Sequence, residues 1–192
     1  NDLAGLSAAA ERGPVMALYI WDEKVSEEWR IGSASRWWLH KSLAALEAAL
    51  NEQGIPLTLR SGNTATVLED VCRSVNAKAV YCSRQYQPWA GQLEQSLRDS
   101  LSQHDVELKR YPGTLLHEPE AVATGAGTPF KVFTPFWRAC LRRPDPQMPL
   151  ATPTLSPCPT PVQSETLKSW NLLPTQPNWA HGWEDLWCPG ED

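Results

Sequence analysis

The chain has 192 residues, 42% hydrophobic and 20% charged, enough for one domain with its own core plus an extended segment. Its 17 Lys and Arg against 22 Asp and Glu give a net charge of −5. That excludes the usual free-standing nucleic-acid-binding domain, whose affinity comes mainly from basic side chains on phosphates.

Leu3, Leu6 and Ala10 take helical spacing over residues 3–12, with Gly13 and Pro14 as the stop. Residues 15–21 form one apolar run of strand length, as in a buried parallel strand. Residues 22–31 are polar and aperiodic and read as a loop, with Glu27 and Glu28 as solvated charges. Ser35 is the expected N-cap of a helix over 36–53. Leu39, Leu43, Leu46 and Leu50 make its apolar stripe, and Gly54 ends it. Residues 55–60 read as a strand and Ser61, Gly62 and Asn63 as a turn. Thr66 and Glu69 have capping-box spacing for a short helix carrying Val67, Leu68, Val71, Cys72 and Val75. A strand over 78–82, a loop over 83–88, a helix face of Trp89, Leu93, Leu97 and Leu101, and a strand over 106–111 complete the series. Such alternation predicts βαβ units with right-handed crossovers, hence an α/β fold with a doubly wound parallel sheet, flavodoxin- or Rossmann-like.

After Arg143 the character changes. Residues 144–161 hold seven prolines without apolar periodicity, which predicts an extended linker. The tail to residue 192 places Trp and Leu clusters between prolines, as if to wrap another domain. The expected division is 1–143 for the α/β domain and 144–192 for linker and tail. Ten tryptophans suggest packing against a planar ligand or a second domain. The five cysteines have no CxxC spacing, so reduced thiols in a cytoplasmic protein are expected, with neither zinc site nor disulfide framework. No apolar run reaches membrane-span length, and residues 1–12 do not resemble a secretory signal. They open on helix-like sequence without Met, which suggests a true start further upstream.

Three stretches carry a family resemblance: Ala34-Ser35-Arg36-Trp37-Trp38-Leu39-His40; Thr128-Pro129-Phe130-Lys131-Val132-Phe133-Thr134-Pro135-Phe136-Trp137; and Leu172-Leu173-Pro174 followed by Trp179 and Trp187-Cys188-Pro189-Gly190-Glu191. Together, in this order, they resemble the DNA photolyase/cryptochrome family, and the second is the most specific. The resemblance implies an N-terminal α/β domain whose first, central strand is missing. It also implies that a helical FAD-binding domain, with its flavin, electron-transfer chain and groove for damaged DNA, lies outside this chain. Phe133, Pro135, Phe136 and Trp137 would then pack between domains.

In open α/β sheets, ligands sit beyond the carboxyl ends of the strands. The family uses that region for an antenna chromophore, which is a deazaflavin, a flavin or a folate. Mapped here, one rim is Ile20, Trp21 and Asp22 with Arg36 on the facing helix, where an anionic tail is favoured. The other rim is Tyr86, Gln87, Pro88 and Trp89. Folate-binding members often carry an Asn-Glu pair near that second rim, where this chain has Trp89-Ala90. The departure points toward a deazaflavin, a flavin or an empty pocket. Gly125-Ala126-Gly127 lacks the third glycine of a dinucleotide loop and reads as a turn. Neither a catalytic constellation nor a metal set is expected. The resemblance implies a part of a light-dependent DNA-repair flavoprotein. A cryptochrome-type photoreceptor and a stand-alone nucleotide- or flavin-binding module are the alternatives.

Overall fold

The computed structural model describes residues 3–24 and 30–190. Residues 25–29 of the predicted 22–31 loop, including Glu27, Glu28 and Trp29, lie outside the described residues, as does Glu191. The elements in chain order are α1 (Ala4–Arg12), β1 (Ala17–Trp21), α2 (Ser33–Glu52), β2 (Leu57–Ser61), α3 (Thr64–Val75), β3 (Ala79–Ser83), α4 (Ala90–Ser102), β4 (Glu107–Tyr111) and α5 (Phe133–Leu141).

Helix α1 stops at Gly13, whose φ of 148° suits glycine alone, with Pro14 behind it. Two predicted caps are corrected. Helix α2 begins before Ser35: the Arg36 amide already donates to the Gly32 carbonyl at 3.0 Å, and Gly32 is the capping residue. Helix α3 is capped by Asn63, whose side chain accepts from the Thr66 amide at 3.1 Å and from its hydroxyl at 3.2 Å. Thr66 is therefore a donor, and Glu69 turns instead to Ser100 on α4.

The sheet is parallel but divided. β1 pairs with β2 from Ala17 opposite Leu57 to Trp21 opposite Ser61, and β3 pairs with β4 from Ala79 opposite Glu107 to Ser83 opposite Tyr111. The ladders are not bonded to each other, yet they share layers. Ala17 and Tyr19 pack with Leu57 and Leu59 under α2, where Leu43 and Leu50 close one core. Leu18 and Ile20 pack with Val80 and Cys82 against Leu68, Cys72, Leu101, Val106 and Leu108, the core under α3 and α4. Alternate residues of β1 thus serve opposite faces, each covered by helices, which is the doubly wound arrangement. Helix α1 lies on the α2 face and bridges the halves: Ala9 joins the first core, and a Cβ on Gly5 would sit 3.5 Å from the Tyr111 ring.

The linker and tail pack against this domain. Val15, just before β1, bonds Ser156 and Cys158 through its amide and carbonyl, both at 2.8 Å. Residues 164–165 line the outer edge of β2: the Glu165 amide donates to the Leu59 carbonyl at 2.8 Å, and the Leu59 amide donates to Ser164 Oγ at 2.9 Å. An edge strand offers such unpaired groups to any extended neighbour, and a proline-rich segment with few donors of its own can still supply them. Leu172 and Ala180 are buried. Trp183 meets Trp37 edge-on at 5.4 Å, and Trp187 meets Trp38 at 6.0 Å. The tail tryptophans therefore staple it to α2.

Candidate functional site

The carboxyl ends of the strands carry two separate groups of polar and aromatic side chains. At the end of β1, the Trp21 ring lies 6.2 Å from Trp170 at 24°, and the Arg36 guanidinium sits 5.9 Å from the Trp21 centroid. Arg36 also pairs with Glu23 at 2.9 Å. Asp22 accepts from the Thr64 amide at 2.8 Å and its hydroxyl at 2.9 Å, so it anchors the start of α3. Ile20 points into the core under α3 and α4.

Glu165 completes this end. Its carboxylate accepts from the Ser61 amide (2.8 Å), the Ser61 hydroxyl (2.8 Å) and the Trp170 indole N–H (2.6 Å). Burial pushes this carboxyl up, but the bonds from Trp170 and Ser61 outweigh it and hold its pKa below the ordinary value. Sequence reasoning missed Glu165 and Trp170. A lone glutamate in a proline-rich tail carries no local signal for a partner such as Ser61, 104 positions away.

At the end of β3, Tyr86 donates to Glu118 at 2.6 Å and accepts from the Gly113 amide at 3.1 Å. Arg84 bonds Glu118 at 2.7 Å and Glu120 at 2.8 and 2.6 Å. These bonds hold Glu120 down to about 2. Only glycine fits at 113, because a Cβ would collide with the Arg84 carbonyl and approach the Tyr86 ring to 2.7 Å. Gln87 and Trp89 form the entry to α4 through their carbonyls, with Gln87 and Pro88 exposed and Trp89 half-buried. The 124–128 segment is a plain turn, with Gly127 at φ 73° and its amide on Thr124, as its sequence suggests.

The eight predicted site residues are thus brought to one end of the fold but fall into two rims. Two hollows of about 270 and 220 Å³ lie elsewhere, along α3, and neither includes any of the eight. Gln87 and Pro88 are exposed and the other six are half-buried; Ile20 also packs into a core, Asp22 caps α3 and Tyr86 anchors a loop. Among the described residues there is no cluster of metal-ligand type, and no helix is long and apolar enough to cross a membrane.

The family model for DNA photolyase matches residues 1–157. The chain belongs to the DNA photolyase family. It is 37% identical over 192 residues to the deoxyribodipyrimidine photo-lyase of Agrobacterium fabrum, covering all of this chain and 40% of that one. It is 32% identical to Cryptochrome-1 of Arabidopsis thaliana, covering 96% of this chain and 29% of the relative. Among solved structures, a class III photolyase from Agrobacterium tumefaciens superposes with a TM-score of 0.89 at 37% identity, over 98% of this chain and 39% of that one. A photolyase from Sulfolobus tokodaii, at 16% identity and TM-score 0.65, shares the fold. The chain therefore spans well under half the length of these photolyases, and its α/β architecture is that of their family.

Proposed function

We propose that this chain is the antenna-bearing part of a longer, light-driven flavoprotein that reverses pyrimidine dimers in DNA. The observation that supports it is the end-to-end match, 37% identity over all 192 residues, to a protein named a deoxyribodipyrimidine photo-lyase. In this reading a helical domain elsewhere in the polypeptide holds FAD and receives the damaged DNA. Free thiols at all five cysteines suit a reducing compartment such as the cytoplasm.

The half-buried and exposed side chains at the strand ends suit a planar, anionic chromophore. Trp21 offers an aromatic surface and Arg36 a cation near it. Gln87, Pro88 and Trp89 form the opposing rim. A bound antenna supplies absorption and passes its excitation to the flavin. This chain's residues would hold it rigidly and limit its contact with water, which requires no acid, base or nucleophile.

The test uses the full-length product of the gene. Absorbance identifies bound flavin and any deazaflavin, second flavin or folate, and a dimer-containing oligonucleotide reports repair in light against darkness. Light-dependent repair is expected. A flavin-loaded protein without repair belongs with the cryptochromes, and a protein that retains no flavin overturns the reading.

A further inference from the structure

Five tryptophans form an unbroken array across α2 and the tail. Trp179 meets Trp183 at 5.0 Å and 68°, and Trp183 meets Trp37 at 5.4 Å and 81°. Trp37 meets Trp38 at 6.3 Å and 52°, and Trp38 meets Trp187 at 6.0 Å and 78°. Tilted and edge-on contacts at such separations are the ones aromatic rings prefer. Burial accounts for Trp37, which is 2% exposed. Trp38, Trp179 and Trp187 keep 42%, 37% and 56% of their surface in water, where burial alone does not call for an indole. The array also abuts the first rim, because Trp37 follows Arg36, whose guanidinium lies over Trp21.

Indoles this close share excitation. Each absorbs in the ultraviolet, and the coupling between neighbouring rings rises steeply as their separation falls, so energy moves between them faster than either emits. Indole emission overlaps the near-ultraviolet absorption of flavins. The planes are tilted by 52° to 81°, so each step turns the direction of polarisation. Passage of an electron suits the array less. Lys41 Nζ lies 6.0 Å from the Trp37 centroid, and a cation there opposes loss of an electron from the ring but not the passage of excitation. Glu184, the exposed partner of Lys41, offsets that charge only in part.

We propose that these five rings act as one ultraviolet collector, built from the protein's own side chains, which passes its excitation to the flavin. This rests on the functional reading, which supplies the acceptor.

Polarised emission of the full-length protein in a rigid glass tests it, with Trp183→Phe and the control Trp137→Phe. A phenyl ring fills the space at 183 but does not take excitation from indole, so Trp179 is cut off from Trp37. Trp137 stacks on Phe133, outside the array. Indole emission should be strongly depolarised in the parent and in Trp137→Phe, and more polarised in Trp183→Phe. Trp187→Phe, at an exposed end of the array, should shift polarisation the same way and covers the case in which Trp183→Phe does not fold. Flavin emission excited through indole is then compared with emission excited in the flavin's own band. Its ratio should fall by the share of two indoles in Trp183→Phe, those of Trp183 and Trp179, and by no more than the share of one in Trp137→Phe. Equal polarisation in all four proteins overturns the proposal, and so do equal losses of flavin emission in Trp183→Phe and Trp137→Phe. A sample without flavin absorbance sinks the functional reading, and polarisation still decides whether the rings are one collector.

Discussion

Trp170, in the tail, lies nearly parallel to Trp21, at the end of β1, with their rings 6.2 Å apart at 24°. Glu165 ties the same two regions together by accepting from both Ser61 and the Trp170 indole. The tail is thus part of the α/β domain's fold. Trp170→Ala should cost about 2 kcal/mol, less than a fully enclosed tryptophan loses, since Trp170 is only half-buried. Glu165→Gln, which weakens three bonds without emptying space, should cost about 1 kcal/mol. Urea unfolding followed by tryptophan fluorescence checks both, and an unchanged midpoint for Trp170→Ala would show the tail to be free.

The start of α3 rests on two short side chains from different places, Asn63 and Asp22. Asn63→Ala and Asp22→Ala should each lower stability by about 1 kcal/mol. Asp22→Ala should do so without altering chromophore content if Asp22 serves the helix and not the ligand. Absorbance of the purified full-length variants separates these roles.

The order of elements was legible because apolar periodicity is a local property: the Leu39, Leu43, Leu46 and Leu50 stripe and the 15–21 run needed no partner to be read. The caps of α2 and α3 lie three residues before those the sequence suggests, because several Ser, Thr and Asn side chains compete at each start. Geometry, not composition, chose Gly32 and Asn63. The folding back of the tail was not legible. Its tryptophans looked unpartnered because Tyr19, Trp37 and Ser61 are distant in sequence and carry no mark of who will meet them. Likewise, the sequence offered Tyr86 as a rim residue but gave no sign that its hydroxyl would bond Glu118 and the Gly113 amide.

Stability should fall with acid through three carboxylates. Glu120 lies at about 2 because Arg84 bonds it, Glu118 is lowered chiefly by Tyr86, and Glu165 is lowered although burial opposes it. Each therefore binds its proton less readily folded than unfolded. Their stabilisation is complete above the ordinary value of 4.5 and is lost as pH falls through the folded values, toward 2 for Glu120. Exposure keeps each contribution small. Denaturation midpoints between pH 7 and pH 3 should decline more steeply below pH 5 than above it, about where such carboxylates begin to protonate. Arg84→Met should flatten that decline.

The division of the sheet makes a further prediction. The Trp21 carbonyl bonds Gly62 beyond β2, so by alternation Leu18 and Ile20 turn their amides away from β2. They face the side on which β3 shares their core. A strand supplied by upstream sequence, as the family resemblance implies, would pair them. Hydrogen exchange should be fast at Leu18 and Ile20 in the 192-residue chain and slower by orders of magnitude in the full-length protein. Equal rates in the two would mean that no strand enters there.

The five thiols should react in an order set by burial. Cys188 is exposed, whereas burial pushes Cys72 up to about 11. Maleimide followed by mass spectrometry at pH 7 should label Cys188 first and Cys72 last. Early labelling of Cys72 would mean that the core under α3 and α4 opens readily.

The most direct test of the central claim is the fluorescence excitation spectrum of flavin in the full-length protein, compared with that of the variant Trp21→Ala, Arg36→Ala. If this domain carries the antenna, flavin emission in the parent is excited by a second absorbing species, and the double variant loses that band while its FAD absorbance stays. An excitation spectrum that is flavin alone in both proteins would contradict an antenna at this site.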